Sequence, residues 1–225
     1  MRSLVLLSLL CLARLPFAFA DEPLTGFAKW EKEIAAYEAA DQKEPPPKGG
    51  IVFVGSSSIR LWKTLAQDFP RHRVLNRGFG GSEMADSVHF ADRIVLAYEP
   101  RMILVYAGGN DINAGKTPEQ VFDAFKAFVA KVRAKQPDTP IAYISIAGNP
   151  ARWAQVERVK AANGLIAGYC QAGPHLQFID VFTAMLGPDG VPKPDIFVAD
   201  RLHMNPEGYK IWTGVIGPLL PAPDR

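Results

Sequence analysis

The chain has almost no cysteine. Of its two cysteines among 225 residues, Cys11 lies in an N-terminal segment that we expect to be removed, which leaves only Cys170. A single thiol cannot form an internal disulfide, so the sequence does not describe a small secreted scaffold held by disulfides. A lone cysteine is typical of a small buried apolar side chain, and a nucleophilic or dimer-linking thiol is the second interpretation.

The chain also lacks an apolar run long enough to cross a membrane as a helix. The run from Leu4 to Ala13 is too short, and no later stretch reaches the roughly 18 residues required. Arg2 before this run and the small residues of Ala18-Phe19-Ala20 after it identify residues 1–20 as a secretory signal peptide. We therefore expect cleavage after Ala20, a secreted or periplasmic protein, and no transmembrane segment.

The predicted mature chain has no net charge. The full chain has 25 lysines and arginines against 23 aspartates and glutamates, and the predicted signal peptide contains two arginines and no acid, so the counts become 23 and 23. Without a basic excess, the composition gives no support to a nucleic acid or an anionic membrane surface as partner.

Histidine is scarce, and no two histidines are closely spaced. His72, His89 and His175 are expected in surface or loop positions, and His203 has one nearby acid but no evident third ligand. The sequence therefore predicts neither a metal site nor a bound cofactor.

From residue 50 onward, short apolar runs alternate with longer segments of helical periodicity. The predicted strands are Ile51–Val54, Val74–Leu75, Met102–Tyr106, Ile141–Ile146 and Leu176–Val181. The predicted helices cover about Ile59–Gln67, Ser82–Tyr98, Pro118–Lys135, Ala151–Tyr169 and Pro206–Leu219. Apolar strands without polar alternation indicate a parallel sheet that is covered on both faces. The predicted fold class is α/β, a three-layer α/β/α structure with a doubly wound five-stranded parallel sheet of flavodoxin type.

A separate helix precedes this domain. Residues 25–41 place large apolar side chains at helical spacing, with Thr25 as a possible N-cap, and the run Pro45-Pro46-Pro47 ends the helix. We therefore divide the chain into a signal peptide (1–20), an N-terminal helix with a proline-rich connection (21–49) and one α/β domain (50–225).

Polar clusters follow the predicted strands and precede the last helix. They are Gly55-Ser56-Ser57-Ser58, the glycine-rich stretch Asn76–Ser82, Gly108-Gly109-Asn110-Asp111, and Asp200-Arg201-Leu202-His203. Read alone, each has an ordinary structural explanation: helix-capping serines, a flexible turn, a turn asparagine, and a solvated ion pair or half of a metal site.

Together the clusters supply a hydroxyl, backbone and amide donors, and an acid–histidine pair at one edge of the predicted sheet. This combination is what acyl transfer through a serine ester requires. The chain has no Gly-x-Ser-x-Gly sequence, which argues against the ordinary α/β-hydrolase arrangement.

The four clusters resemble, in order and spacing, the four sequence blocks of the SGNH (GDSL) hydrolases. The resemblance covers essentially the whole predicted mature chain, which makes residues 50–225 an SGNH hydrolase domain. It is closest to the branches similar to platelet-activating-factor acetylhydrolase subunits and secreted carbohydrate esterases. It implies Ser57 as nucleophile, His203 as base and Asp200 as its partner. It also implies an oxyanion hole made by the N–H groups of Gly81 and Ser57 and the side chain of Asn110.

One position departs from the family pattern. Ser56 stands where the family usually has an aspartate, and three consecutive serines leave Ser58 as the alternative nucleophile. The acid usually found there is not the triad carboxylate, so its replacement need not abolish activity.

The resemblance implies a secreted serine esterase that acts on short-chain acyl esters. The expected substrate is a small-molecule or polysaccharide ester, with O-acetyl groups on carbohydrate first and lysophospholipid esters second. An acyltransferase that uses the same residues is a further hypothesis, and a non-catalytic binding protein is the last. Arg152 is expected to be a solvated arginine at a helix start, with binding of an anionic substrate as the second interpretation. The sequence does not indicate an oligomeric state.

Overall fold

The computed structural model describes residues 26–223. The predicted signal peptide with its cleavage site and the predicted cap Thr25 lie outside these residues. Within residues 26–223, no helix combines the length and the apolar character that crossing a membrane requires.

The centre of the molecule is a sheet of five parallel strands, as the sequence predicts. The strands are β1 (Ile51–Gly55), β2 (Val74–Gly78), β3 (Met102–Tyr106), β4 (Ile141–Ile144) and β5 (Leu176–Ile179). Their order in the sheet is β2-β1-β3-β4-β5, which is the flavodoxin order. All residues of the three central strands β1, β3 and β4 are buried, because helices cover both faces of the sheet.

Nine α-helices accompany the strands in the described part of the chain. They are α1 (Glu31–Lys43), α2 (Ser57–Arg60), α3 (Leu65–Asp68), α4 (Met84–Ile94), α5 (Gly109–Asn113), α6 (Pro118–Arg133), α7 (Val156–Ala172), α8 (Val181–Ala184) and α9 (Pro206–Ile216). Short 3₁₀ turns cover Gly26–Trp30, Leu96–Tyr98, Pro150–Gln155, Pro194–Ile196 and Gly217–Leu219.

Two apolar cores lie on opposite faces of the sheet, because successive side chains of a strand point to opposite sides. On one face Val52 and Val54 of β1 pack in a core that includes Phe90 of α4 and Phe125 of α6. On the other face Ile51 and Phe53 pack in a core that includes Trp62 and, from α9, Trp212. The two cores give the three-layer α/β/α architecture.

The predicted helix Ile59–Gln67 is wrong, because the segment forms two single turns, α2 and α3. Between them the Trp62 side chain turns inward, 1% exposed, and packs against Phe53. Its Nε1–H donates to the Asp68 carboxylate at 2.5 Å, and Thr64 Oγ1 donates to the same oxygen at 2.7 Å. Burial of the indole thus overrides the local helical pattern.

The predicted helix Ala151–Tyr169 begins later than expected. Its first residues form the 3₁₀ turn Pro150–Gln155, in which Arg152 leaves helical geometry at φ −124°. The side chain of Asn149 caps this turn by accepting a hydrogen bond from the Arg152 N–H at 3.0 Å. The regular helix α7 begins only at Val156.

Helix α1 docks on the domain through polar contacts at its inner face. Asp41 accepts hydrogen bonds from Arg77 of β2 and from the Tyr98 hydroxyl, both at 2.5 Å. The hydroxyl of Tyr37 donates to the carbonyl of Gly78 at 2.5 Å. Burial, together with the bond to Asp41, raises the pKa of Tyr98 to about 12. The start of this helix, Glu31, lies several residues beyond the predicted one because a 3₁₀ turn precedes it.

Cys170 lies in α7 and is 3% exposed. Burial raises the pKa of its thiol to about 12, so the thiolate is suppressed. The side chain fits the interpretation of a small apolar core group.

Candidate active site

The turn between β1 and α2 places a serine over the edge of the sheet. Gly55 ends the strand at φ +136°, a conformation that favours glycine, and an added Cβ would lie 1.9 Å from the Tyr106 carbonyl oxygen. Ser56 follows as the buried N-cap position of α2, and Ser57 is the first residue of that helix. The tight turn therefore brings the Ser57 side chain to the carboxyl edge of the sheet, beside β3.

The Ser57 hydroxyl is bonded to the imidazole of His203. Oγ of Ser57 and Nε2 of His203 are 2.8 Å apart, across 146 positions of sequence. His203 lies just before α9, on a segment that pairs with the chain ahead of it through an isolated bridge between Phe197 and Met204. The structure brings His203 to Ser57 and not to Ser58, the alternative nucleophile.

The Asp200 carboxylate is bonded to the other ring nitrogen of His203. Its Oδ2 lies 2.6 Å from Nδ1, while its Oδ1 accepts the backbone N–H groups of Leu202 and His203, each at 2.9 Å. The bond from the His203 N–H, with that from its ring, lowers the pKa of Asp200 to about 2. The side chain is 46% exposed, so burial, which would raise this pKa, opposes the hydrogen bonds only weakly and the acid stays ionised.

These contacts determine which ring nitrogen carries the proton. An ionised carboxylate can only accept, so Nδ1 of His203 must be the donor and carries the hydrogen. Nε2 is then free to accept the proton of the Ser57 hydroxyl. The arrangement can remove the serine proton and store it on an imidazole that Asp200 stabilises.

Two backbone N–H groups that the family resemblance assigns to the oxyanion hole have no acceptor in the described part of the chain. One belongs to Ser57 itself, as the first residue of α2, and the other to Gly81 in the loop after β2. Gly81 is exposed and has φ +76°, and the Trp30 side chain packs 3.4 Å from the position a Cβ would take. The Gly81 and Ser57 N–H groups are thus available as donors, as an oxyanion hole requires.

The side chain of Asn110 joins the loop after β3 to the loop after β2. Its Nδ2 donates to the Ser82 carbonyl at 2.9 Å, and its Oδ1 accepts from Nη1 of Arg152 at 3.0 Å. The neighbouring Asp111 is fully buried, and both its oxygens accept the N–H of Met84, at 3.0 and 3.3 Å. Burial raises the pKa of Asp111, and Lys116 opposes this shift from 3.4 Å.

An open cleft of about 480 Å³, including solvent at its mouth, lies over Ser57. Its wall combines polar side chains with apolar ones, namely Ile146, Ala147, Met185, Phe197, Met204 and Trp212. Gly81 is not among the residues that line it, whereas Asn110 and His203 are.

The sequence did not predict the side-chain contacts of Arg152. We expected a solvated side chain, but it is half-buried in the cleft and its Nη1 also donates to the Gly109 carbonyl at 3.2 Å. No local pattern signals this contact, because Arg152 and Asn110 are 42 positions apart.

Within residues 26–223, no group of three or more histidine, cysteine, aspartate or glutamate side chains is placed to bind a metal ion.

Comparison with known proteins shows the family of the chain. Residues 52–211 match the model of the GDSL-like lipase/acylhydrolase family. This range contains β2 to β5, all of β1 except Ile51, and Ser57, Asn110 and His203, and leaves helix α1 outside. A search of curated proteins found no match.

Solved structures share the fold at low sequence identity. One is described as a putative platelet activating factor from Streptococcus pneumonia (19% identity, TM-score 0.75, covering 85% of this chain and 92% of that one). Another is a GDSL-like lipase from Bacteroides thetaiotaomicron (18%, TM-score 0.71, 83% and 96%). A third is a variant of an acetyl-xylooligosaccharide esterase from Geobacillus (13%, TM-score 0.63, 76% and 93%). The chain belongs to the GDSL-like lipase/acylhydrolase family and is an ester hydrolase of the serine type.

Proposed function

We propose that this protein is a secreted esterase that removes short acyl groups, O-acetyl groups on carbohydrate above all, through a triad of Ser57, His203 and Asp200. The observation that carries the proposal is the chain of two hydrogen bonds, Ser57 Oγ to His203 Nε2 at 2.8 Å and His203 Nδ1 to Asp200 at 2.6 Å. A nucleophile, a base and an orienting acid in hydrogen-bond reach are what this chemistry needs.

The first half of the reaction forms an acyl-enzyme. The Ser57 hydroxyl transfers its proton to His203 Nε2 while its oxygen bonds to the ester carbonyl carbon. The oxyanion so formed accepts hydrogen bonds from the N–H groups of Ser57 and Gly81 and from the Asn110 amide. When the tetrahedral intermediate collapses, the bond to the alcohol oxygen breaks and His203 returns its proton to the leaving alcohol.

The second half regenerates the free serine. His203 takes a proton from water, whose oxygen bonds to the acyl carbon, and the bond to Ser57 Oγ breaks. The proton on His203 then returns to the serine oxygen, so that one ester and one water give one acid and one alcohol. Asp200 stays ionised throughout and stabilises the charged ring.

The exposure of the site supports a substrate whose alcohol part is large. The cleft is open, and 25% of the His203 side chain and 46% of the Asp200 side chain are exposed, so a polymer-bound ester can approach the serine. The structural likeness to an acetyl-xylooligosaccharide esterase supports the same substrate class. The predicted signal peptide supports secretion.

A chain-length series of p-nitrophenyl esters, assayed beside acetylated xylan, tests the proposal. We expect the acetyl ester to be the best of the series and acetate to be released from xylan. Ser57→Ala should lose activity by several orders of magnitude, since the members of a triad act as a unit. The matched variant Ser58→Ala should stay within tenfold of the wild type, because His203 contacts Ser57. A fluorophosphonate probe should label Ser57.

Three outcomes would overturn parts of the proposal. A preference for long acyl chains would favour a lysophospholipid esterase. Transfer of the acyl group to a sugar alcohol in preference to water would indicate an acyltransferase. A folded protein that the fluorophosphonate does not label would indicate a binding protein without catalytic activity.

A further inference from the structure

The carboxamide of Asn110 is bonded on both of its ends. Nδ2 donates one hydrogen to the Ser82 carbonyl at 2.9 Å, and Oδ1 accepts from Nη1 of Arg152 at 3.0 Å. An amide nitrogen carries two hydrogens, so the second N–H of Asn110 remains for the cleft that the residue lines.

A half-turn of this carboxamide would break both contacts. Oδ1 would then face the Ser82 carbonyl oxygen, and Nδ2 would face the Arg152 guanidinium, which has donors only. Two acceptors would meet at one end and two donors at the other. The Arg152 side chain therefore favours the orientation in which Nδ2 of Asn110, and not Oδ1, faces the Ser82 carbonyl.

The guanidinium has no compensating acid. In the described part of the chain, no carboxylate lies within salt-bridge distance of Arg152, and its protein partners are the oxygens of Gly109 and Asn110. Burial lowers the pKa of Arg152, but a guanidinium stays charged at any pH the protein meets. The positive charge of Arg152 therefore lies at the Oδ1 end of the Asn110 carboxamide and makes its N–H groups stronger donors.

The backbone around Arg152 is tied to the other half of the site. The N–H of Ala151 donates to the Arg201 carbonyl at 3.1 Å, and Arg201 lies between Asp200 and His203 in a left-handed conformation with φ 57°. The Asn149 cap holds the Arg152 backbone from the other side. The side chain thus projects from a turn that is anchored at both ends.

We propose that Arg152 is a positioning residue of the oxyanion hole, which orients and polarises the Asn110 carboxamide. The proposal rests on the proposed function, in which Asn110 donates to the oxyanion. Arg152 need not touch the substrate in this role. Its contribution should appear in turnover, because the oxyanion exists only in the transition state and the intermediates.

A double-mutant cycle between Arg152→Met and Asn110→Ala tests the proposal on p-nitrophenyl acetate. Asn110→Ala should lower kcat by on the order of 10²–10³, the usual cost of one oxyanion donor. Arg152→Met should lower kcat by about tenfold to a hundredfold, less than loss of the donor, with KM changed by less than about threefold. In the Asn110→Ala background, Arg152→Met should cost almost nothing, because the group through which it acts is gone.

Two further variants separate orientation from general damage. Arg152→Lys keeps the charge and one donor, and should recover part of the lost turnover. Arg158→Met removes another half-buried arginine, whose Nη2 bonds the Lys116 carbonyl outside the cleft, and should leave kcat near the wild-type value. Thermal unfolding of each variant verifies that the protein is folded during the assay.

The outcomes distinguish this proposal from the proposed function. If Arg152→Met costs as much in the Asn110→Ala background as alone, or raises KM for anionic esters only, Arg152 contacts the substrate and the proposal is wrong. If Asn110→Ala leaves kcat unchanged while Ser57→Ala abolishes it, the triad stands and the role of Arg152 fails. If Ser57→Ala stays active, the proposed function itself fails.

Discussion

Asp200 Oδ1 accepts the backbone N–H of His203 at 2.9 Å, while Oδ2 of the same carboxylate lies 2.6 Å from Nδ1 of the His203 ring. One carboxylate thus fixes the backbone and the ring of the same histidine. This relationship explains how an acid with an exposed side chain orients the imidazole, since three hydrogen bonds hold it where burial does not.

Replacement of Asp200 by asparagine should reverse the protonation of the His203 ring. The new amide can still accept the two backbone N–H groups through its oxygen, but its NH₂ group then faces Nδ1. Nδ1 must become the acceptor, Nε2 carries the hydrogen, and it can no longer take the Ser57 proton. We expect kcat to fall by on the order of 10²–10⁴, as measured with p-nitrophenyl acetate.

Asp189→Asn is the matched control for that variant. Asp189 also accepts a backbone N–H two residues ahead, from Val191 at 3.2 Å, but lies outside the cleft. Its replacement should leave kcat unchanged. Equal losses in the two variants would show that Asp200 acts only on the structure of its loop.

The pH dependence of stability should reveal the ionised state of Asp200. Its pKa is lowered to about 2 in the folded protein, against about 3.9 in an unfolded chain. A depressed pKa stabilises the fold above the unfolded value, and that stability is lost as the pH falls toward the folded value. From pH 5 downward, the difference in unfolding free energy between the wild type and Asp200→Asn should first stay constant and then shrink between about pH 4 and 2. A difference that stays constant down to pH 2 would contradict the lowered pKa.

The docking of helix α1 should depend on one buried ion pair more than on its exposed ones. The side chains of Arg77 and Asp41 are 6% and 19% exposed, so Asp41→Asn leaves a buried guanidinium without its counter-charge. We expect a loss of about 3 kcal/mol in unfolding free energy, the low end for breaking a buried pair. Urea unfolding measures it.

Glu31→Gln provides the comparison on the same helix. Glu31 is 53% exposed, and its partner Arg93 keeps a second acid, Glu38, at 2.7 Å. Exposed pairs of this kind contribute little to stability, because solvent screens them. A larger loss for Glu31→Gln than for Asp41→Asn would contradict this account of how the N-terminal segment is attached.

The turn ahead of Ser57 should tolerate no side chain at Gly55. A Cβ there would lie 1.9 Å from the Tyr106 carbonyl oxygen, and the backbone at φ +136° is unfavourable for alanine. Since the obstacle is backbone, Gly55→Ala should prevent folding or destabilise the protein by more than about 3 kcal/mol, which is above the usual range for single substitutions.

Gly164→Ala tests the same substitution where there is room. Gly164 lies inside α7, and apart from its own helix backbone and its two chain neighbours no atom lies within 4 Å of the added carbon. Alanine is the better helix former, so we expect a gain of roughly 0.5–1 kcal/mol in unfolding free energy. Thermal unfolding of both variants side by side checks the contrast, and a stabilised Gly55→Ala would refute the steric argument.

The sequence by itself determined the class of fold and the edge at which the polar clusters meet. Continuous apolar runs such as Met102–Tyr106 specify strands buried on both faces, and parallel strands end at one common edge of the sheet. The serines directly after β1, and Asn110 a few positions after β3, are therefore brought to that edge by strand direction alone. These are local signals, because periodicity and strand boundaries are set by residues close in the chain.

Only the tertiary structure decided which groups touch. It separated Ser57 from Ser58 as the partner of His203, divided the segment after β1 into two short turns around the buried Trp62, and brought Arg152 against Asn110. These contacts join residues that are distant in sequence, 146 positions apart for Ser57 and His203 and 42 for Asn110 and Arg152. Contacts between residues so far apart in sequence depend on how the loops pack on the sheet. No periodicity or spacing in the sequence encodes that packing.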